Sequence, residues 1–264
     1  MGADRGRGSR VGTAARLEVT VTHIGGPTTL VEFGGARLLV DPTFDAPGRR
    51  YSFGWGTSSR KLSGPAVPLE SLGSFDAVLL THDQHADNLD NSGRDLLPAV
   101  PVVVTTVAAA RRLGGNAVGL RPFSSVRVGD VTVIATPSRH GPAWSVPIVG
   151  PTTGFALRVS ESAPVVWISG DTVLFPGVLS VASRFTVDTA ILHLGRVQFG
   201  LTGPARFTMT GRDAAALVSR VRPRVVVPVH YEGWSHFHEG RAEIDAAFPA
   251  GALTWLTPGK PTAL

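Results

Sequence analysis

The chain has 264 residues, 43% of them hydrophobic, enough for one large α/β domain or two small ones and too apolar for a disordered protein. It has no cysteine, which excludes disulfides, thiolate metal sites and a cysteine nucleophile. The formal net charge is +5, but four arginines against one aspartate sit in the first sixteen residues, and no run of eighteen apolar residues marks a membrane span.

Residues 1–16 form a Gly/Arg/Ala leader without the apolar stretch of a secretory signal. It is expected to be disordered, and a nucleic-acid tether is the alternative, because basic arms bind phosphate. The protein is therefore read as cytoplasmic, with residues 17–264 as a single domain. Residues 17–24, 28–33 and 36–40 alternate or run apolar between Gly turns and predict three consecutive antiparallel strands. Residues 44–66, rich in Gly, Pro, Ser and Arg, predict a long loop. Residues 75–80 predict a strand, and residues 88–97 a short helix with Asp87 or Asn88 as N-cap.

Residues 102–105 predict a strand and 107–113 a helix. Residues 126–135 predict a hairpin turning at Gly129-Asp130. Strands are expected at 154–159, 165–168 and 187–192. Residues 210–221 predict a helix that Thr210 caps, with Asp213 three residues on as in a capping box. A buried strand is expected at 225–229, a helix end at 244–248 and a last strand at 253–256. The pattern of strand runs followed by interspersed helices suggests two packed sheets with helices outside.

Four apolar strands end in metal-type donors. The run Ala77-Val78-Leu79-Leu80 opens into His82, Asp83, Gln84, His85, Asp87 and Asn88. Three later strands lead into His140, Asp171 and His230. Imidazole and carboxylate are the donors zinc prefers, with manganese or iron as alternatives. Four histidines and two aspartates suffice for one or two divalent ions with open positions for water. A lone histidine at a strand end is more often an ordinary core or surface residue; the weight lies in the joint pattern.

That pattern resembles the metallo-β-lactamase fold hydrolases, and most closely the branch that includes ascorbate-6-phosphate lactonase and phosphodiesterase-like enzymes. The resemblance rests on Thr20-Val21-Thr22-His23-Ile24-Gly25, Leu39-Val40-Asp41-Pro42, Thr81-His82, Ser138-Arg139-His140, Ile168-Ser169-Gly170-Asp171-Thr172, Phe207-Thr208-Met209-Thr210 and Val227-Pro228-Val229-His230-Tyr231. It implies a four-layer αββα sandwich of two mixed β-sheets with outer helices. It also implies ligation by His82, His85, Asp87, His140, Asp171 and His230, with Asp171 bridging. The family signature is His-x-His-x-Asp-His, whereas this chain has one extra residue between the first two histidines and Asn88 in place of the last. A second ion on Asp87, Asn88, Asp171 and His230 is therefore expected to bind more weakly, with Gln84 or Asp83 as possible substitutes.

The resemblance implies hydrolysis of a lactone, ester or phosphodiester by a metal-bound hydroxide, with Asp87 orienting the nucleophile and accepting a proton. Asp41 is a candidate for orienting a ligand histidine from behind. His193, Arg139, Trp234 and His236 are candidates for the substrate pocket. The aromatic and cationic segment with Tyr51, Phe53, Trp55, Arg49, Arg50 and Arg60 is a candidate lid for an anionic small molecule. Two other functions stay open at this point: a nuclease of the same fold, although nucleic acid is a less favoured partner, and a metal-binding protein without catalysis. The sequence leaves the oligomeric state open, a homo-oligomer included.

Overall fold

Alternating apolar residues build two sheets that bury both of their faces. The computed structural model describes residues 17–264, so the expected leader lies outside the described residues. The chain runs through β1 (Val19–Gly25), β2 (Thr28–Phe33), β3 (Ala36–Val40), β4 (Arg50–Gly54), β5 (Thr57–Arg60), β6 (Ala77–Leu79), α1 (Asn91–Leu96), β7 (Val103–Thr106), α2 (Val107–Leu113) and β8 (Ala117–Leu120). It continues through β9 (Ser125–Val128), β10 (Val131–Pro137), α3 (Val146–Val149), β11 (Thr153–Arg158), β12 (Val165–Ile168), α4 (Pro176–Leu179) and α5 (Val181–Arg184). The last elements are β13 (Val187–His193), α6 (Gly211–Val221), β14 (Val225–Val229), α7 (Arg241–Asp245) and β15 (Thr262–Ala263).

Seven strands form one sheet in the order β15-β1-β2-β3-β6-β7-β8, and six form the other in the order β14-β13-β12-β11-β10-β9. Both sheets are mixed: β1, β2 and β3 pair antiparallel, whereas β3 with β6 and β12 with β13 pair parallel. The period-2 rule sends Leu38 and Val40 inward and Leu39 outward. The inward set meets Val133, Phe155, Leu157, Ile168 and Val227 of the second sheet in a shared core. Leu39, Val78, Leu80 and Val103 on the other face pack against Leu97, next to α1, and Leu89. Ile134, Trp167, Ala190 and Leu192 pack outward against Val178 of α4, Leu217 of α6 and Ile244 of α7. Helix, sheet, sheet, helix is the expected αββα sandwich. α6 carries the complete capping box, in which Thr210 accepts from the Asp213 amide and Asp213 accepts from Thr210.

Several local expectations fail. The stretch 44–66 holds the β4–β5 hairpin, whose ends are tied to the body by a buried Lys61–Asp90 ion pair at 2.7 Å. Helix α1 starts at Asn91, capped by Asp90, which accepts from the Gly93 amide; Asp87 and Asn88 are instead turned into the interior. Residues 253–256 form no strand; Leu256 only plugs the core, and β15 supplies the edge strand against β1.

Topology places the donors. β10 and β12 both pair antiparallel with β11, so they run in the same direction, and β13 and β14 continue parallel to β12. The C-terminal ends of β10, β12, β13 and β14 therefore share one edge, which the segment after β6 meets through the Thr153 amide donating to the Thr81 carbonyl at 3.1 Å.

Candidate metal centre

Two groups of buried donors converge at that edge. Nε2 of His82 and Nε2 of His140 lie 3.0 and 3.1 Å from Nδ1 of His85. Beside them, Nε2 of His230 lies 3.4 Å from an oxygen of Asp87 and 3.4 Å from one of Asp171. Asp171 also lies 3.9 Å from Nε2 of His140, so its carboxylate stands between the groups. Each group offers three ligand atoms mutually close enough for one ion.

The hydrogen bonds behind the imidazoles set their tautomers. Nδ1 of His140 donates to the Phe207 carbonyl at 2.7 Å, and Nδ1 of His230 donates to the Leu194 carbonyl at 3.2 Å. The Thr81 hydroxyl donates to the Asp41 carboxylate at 2.9 Å, which leaves its oxygen to accept from Nδ1 of His82 at 3.1 Å. When neutral, all three rings therefore turn a bare Nε2 toward the centre. Lone pairs crowded in this way are a donor set that a cation would satisfy.

A second observation points to the same fit. Asp87 Oδ1, Asn88 Oδ1, Asp171 Oδ2 and His230 Nε2 are buried without a hydrogen-bond partner in the protein. Native interiors rarely leave such atoms unmatched, and a site for an ion is one of the few reasons to do so. The donor set is all nitrogen and oxygen, which suits zinc, manganese or iron.

Electrostatics follow from burial. Desolvation, reinforced by His85 and His140, pushes the His82 imidazole well below its usual range. Desolvation brings His85 to about 4 and, with His85 as neighbour, His140 to about 3, so all three stay neutral. Burial alone would raise Asp87, but the adjacent His230 and His236 imidazoles hold its carboxyl well below the ordinary value. Burial pushes Asp171 up to about 6 against the pull of His230. His230 resists its own desolvation because Asp171 and Asp87 face it, and rises to about 9. Without metal at neutral pH, a proton on His230 thus sits where a cation fits.

The backbone is bent to aim these groups. His230 and Asp41 take left-handed φ values of 58° and 41°, uncommon for residues with a Cβ and typical of strained functional positions. Gly170, just before Asp171, has φ +61°, and a Cβ there would lie 2.3 Å from the Thr153 carbonyl oxygen. Ser138 clamps the two ligand loops by donating to the Ser169 and Asp171 carbonyls at 3.0 and 3.1 Å.

Residues 36–231 match the beta-lactamase superfamily domain. The chain belongs to this superfamily. Its relatives include UPF0173 metal-dependent hydrolases: that of Pyrobaculum calidifontis is 31% identical over 212 residues, 76% of this chain and 79% of the relative. That of Caldivirga maquilingensis is 27% identical over 219 residues, 81% and 82% of the two chains. The fold is shared with an isothiocyanate hydrolase from Delia radicum gut bacteria, at TM-score 0.77 and 22% identity over 93% of this chain and 98% of that one. A possible metal-dependent hydrolase from Veillonella parvula aligns with TM-score 0.77 and 20% identity, covering 95% and 100%. The chain is a metal-dependent hydrolase family member with histidine and aspartate groups that could hold the metal.

The other residues singled out in the sequence of this superfamily member divide. Asp41 holds the site from behind, accepting from the Thr81 amide at 2.7 Å, from Nδ2 of Asn88 at 3.1 Å and from Nε2 of His193 at 3.2 Å. His193 is fully buried in that bond and does not line the cavity above the donors. Asp83 pairs with Arg112 and Gln84 bonds the Asp83 amide and the Pro151 carbonyl, so neither reaches the centre. Arg139 lies over the Phe175 ring, outside the cavity. Trp234 sits behind the wall with its ring 5.3 Å from Tyr51. His236 does line the cavity: Nε2 donates to Asp87 at 3.0 Å and Nδ1 faces the buried Ser59 hydroxyl. Sequence spacing carried no sign of that last link, which joins positions 149 residues apart.

Proposed function

We propose that the chain hydrolyses a lactone or ester of a small molecule, with a divalent metal, zinc first among candidates, held by His82, His85 and His140 and a second by Asp87, Asp171 and His230. The observation that carries this reading is the convergence of buried donors, several with unpartnered atoms, beside a cavity of about 310 Å³ that His85, Asp87 and His140 line, at the small end of the range for ligand sites. Such an ion would supply Lewis acidity, polarising a substrate oxygen and lowering the pKa of water from about 15.7 toward about 7.

The protein supplies position and proton handling. Asp87 faces the cavity ionised and is the group placed to take a proton from the attacking water. His236 and Ser59 lock its orientation, as a carboxylate acting at a fixed point requires. Asp171 stands between the two groups and would help to hold an ion in either. Asn88, short and neutral, steadies Asp41 and Asp171 through Nδ2, which makes the second position the weaker one. Isothiocyanates belong in the assay beside lactones and esters, because one fold relative acts on them.

The experiment is metal analysis of the purified chain and of His85→Ala, with turnover of lactones and esters before and after chelation. Metal and activity are expected to fall together in the variant. Unchanged metal content in His85→Ala would remove His85 from the ligand set, and full activity after complete chelation would end the metal-dependent reading.

A further inference from the structure

The cavity above the donors is walled by rings. Phe53 lies 5.7 Å from Phe199, and Phe199 lies 6.1 Å from Phe207. Phe199 stacks on His236 at 5.1 Å, and Phe53 lies 5.3 Å from His85, so the aromatic wall runs down to the reacting edge. Among the described residues no lysine or arginine contributes to the wall. The cations of the hairpin segment are engaged elsewhere: Arg50 donates to Ser58, Arg60 to the Gly48 carbonyl, and Arg49 lies over Tyr51. None of these arginines lines the cavity, and the inference drawn below departs on that ground from the expectation of an anionic substrate.

The mouth is equally apolar. Among the described residues eight large apolar side chains stand exposed, and four of them, Trp55, Trp144, Ile148 and Leu201, line this one cavity. Scattered exposed apolar residues need no explanation, but a cluster at one opening marks a binding surface. Trp55 is 79% exposed at the tip of the β4–β5 hairpin, with a left-handed φ of 51°. A bulky residue held both strained and solvated fits a contact made only when substrate is present.

We infer that the substrate is an uncharged small molecule whose non-reacting end is aromatic or branched aliphatic, carried between Phe53, Phe199 and Phe207 and covered by Trp55, Trp144 and Leu201. This rests on the hydrolytic reading above and narrows it. A carboxylate or phosphate on that end meets no countercharge among the described residues of the wall, and an unpaired ion in an apolar cleft is strongly disfavoured. The reaction is hydrolysis of an acyl bond: the water oxygen bonds to the acyl carbon, the bond to the leaving oxygen breaks, one water proton passes to the leaving group and the other to solvent.

The test compares 4-nitrophenyl pentanoate with mono-4-nitrophenyl glutarate, which differ by one terminal carboxylate, on the zinc-loaded full chain, with bis(4-nitrophenyl) phosphate as third substrate. The matching non-hydrolysable anilides are titrated by tryptophan fluorescence, which Trp55 and Trp144 at the mouth report. The neutral ester is expected to show kcat/KM at least about tenfold above the anionic one, and the neutral anilide to bind at least about tenfold tighter. Phe199→Lys should shrink or reverse both ratios, and Leu201→Lys, at a 75% exposed position that cannot disturb the core, should shrink them. Preferential binding of the neutral anilide without any turnover would sink the hydrolase reading and leave this inference standing. Equal binding of the two anilides, binding of neither, or best turnover of the phosphodiester or the glutarate would overturn the inference while turnover itself keeps the hydrolase reading.

Discussion

Replacing Asp41 by Asn removes one acceptor oxygen at nearly constant volume. Asp41 is fully buried and accepts at Oδ1 from the Thr81 amide at 2.7 Å and at Oδ2 from Asn88 Nδ2 at 3.1 Å and His193 Nε2 at 3.2 Å. Keeping the carbonyl toward Thr81 points the new NH₂ at two donors. Hydrogen bonds to a charged acceptor are worth roughly 1.5–3 kcal/mol each. An amide flip of Asn88 and a tautomer change of His193 recover part of that loss. The net destabilisation is therefore expected to be about 2–4 kcal/mol, read as a shift of the urea midpoint in chelated protein at unchanged slope. The Thr81 hydroxyl that fixes Nδ1 of His82 is loosened by the same change, and zinc affinity should fall about 10–100-fold. A variant with wild-type stability would show that Asp41 is not the hub its contacts describe. Wild-type zinc affinity in a destabilised variant would show that the Asp41–Thr81–His82 chain does not orient the ligand.

Lys61→Ala leaves Asp90 buried without its cation, although the Phe44, Asp45 and Gly93 amides still donate to it, and unfolding free energy should drop by about 3–5 kcal/mol in urea titration; a drop below about 1 kcal/mol would contradict this. In Gly170→Ala the left-handed backbone alone costs about 1–3 kcal/mol and the clash with Thr153 displaces Asp171, so calorimetry should show weaker zinc binding as well as a lower Tm. The metal-free fold should weaken in acid. His85 at about 4 and His140 at about 3 are lowered in the folded state, so their contribution is complete above about pH 6.5 and is lost as pH falls through those values. Asp171, raised to about 6, acts in the opposite sense between about pH 4 and 6, and the three lowered imidazoles outweigh it. His230, raised to about 9, adds stability complete below about 6.5 that is lost as pH rises through 9. Denaturation of chelated protein across this range should give a maximum near pH 6.5; stability rising from pH 6.5 to 4 would refute the assignment.

The layers and the donor positions were legible because their signals are local. A run such as Val225–Val229 followed by His230, or Val165–Ile168 followed by Ser169-Gly170-Asp171, shows a buried strand and what stands at its end. The β4–β5 hairpin was hidden because it is polar and half exposed, with Ser, Gly and Arg where strands usually show β-branched residues. The start of α1 was misplaced because four candidate caps lie between Asp87 and Asn91, and only tertiary contacts reserve Asp87 and Asn88 for the interior and leave Asp90 to cap. Pocket membership was the least legible layer. Arg139 and His236 look equally suitable in sequence, yet one follows β10 outward onto Phe175 and the other closes on Asp87 across the fold. Where a side chain points at the end of a loop is a three-dimensional property that spacing does not encode.

The central claim is tested most directly by X-ray absorption spectroscopy of the zinc-loaded chain. Imidazole scattering from several histidines is predicted, with nitrogen and oxygen neighbours at about 2.0–2.1 Å. A shell of water oxygens without imidazole scattering would contradict it.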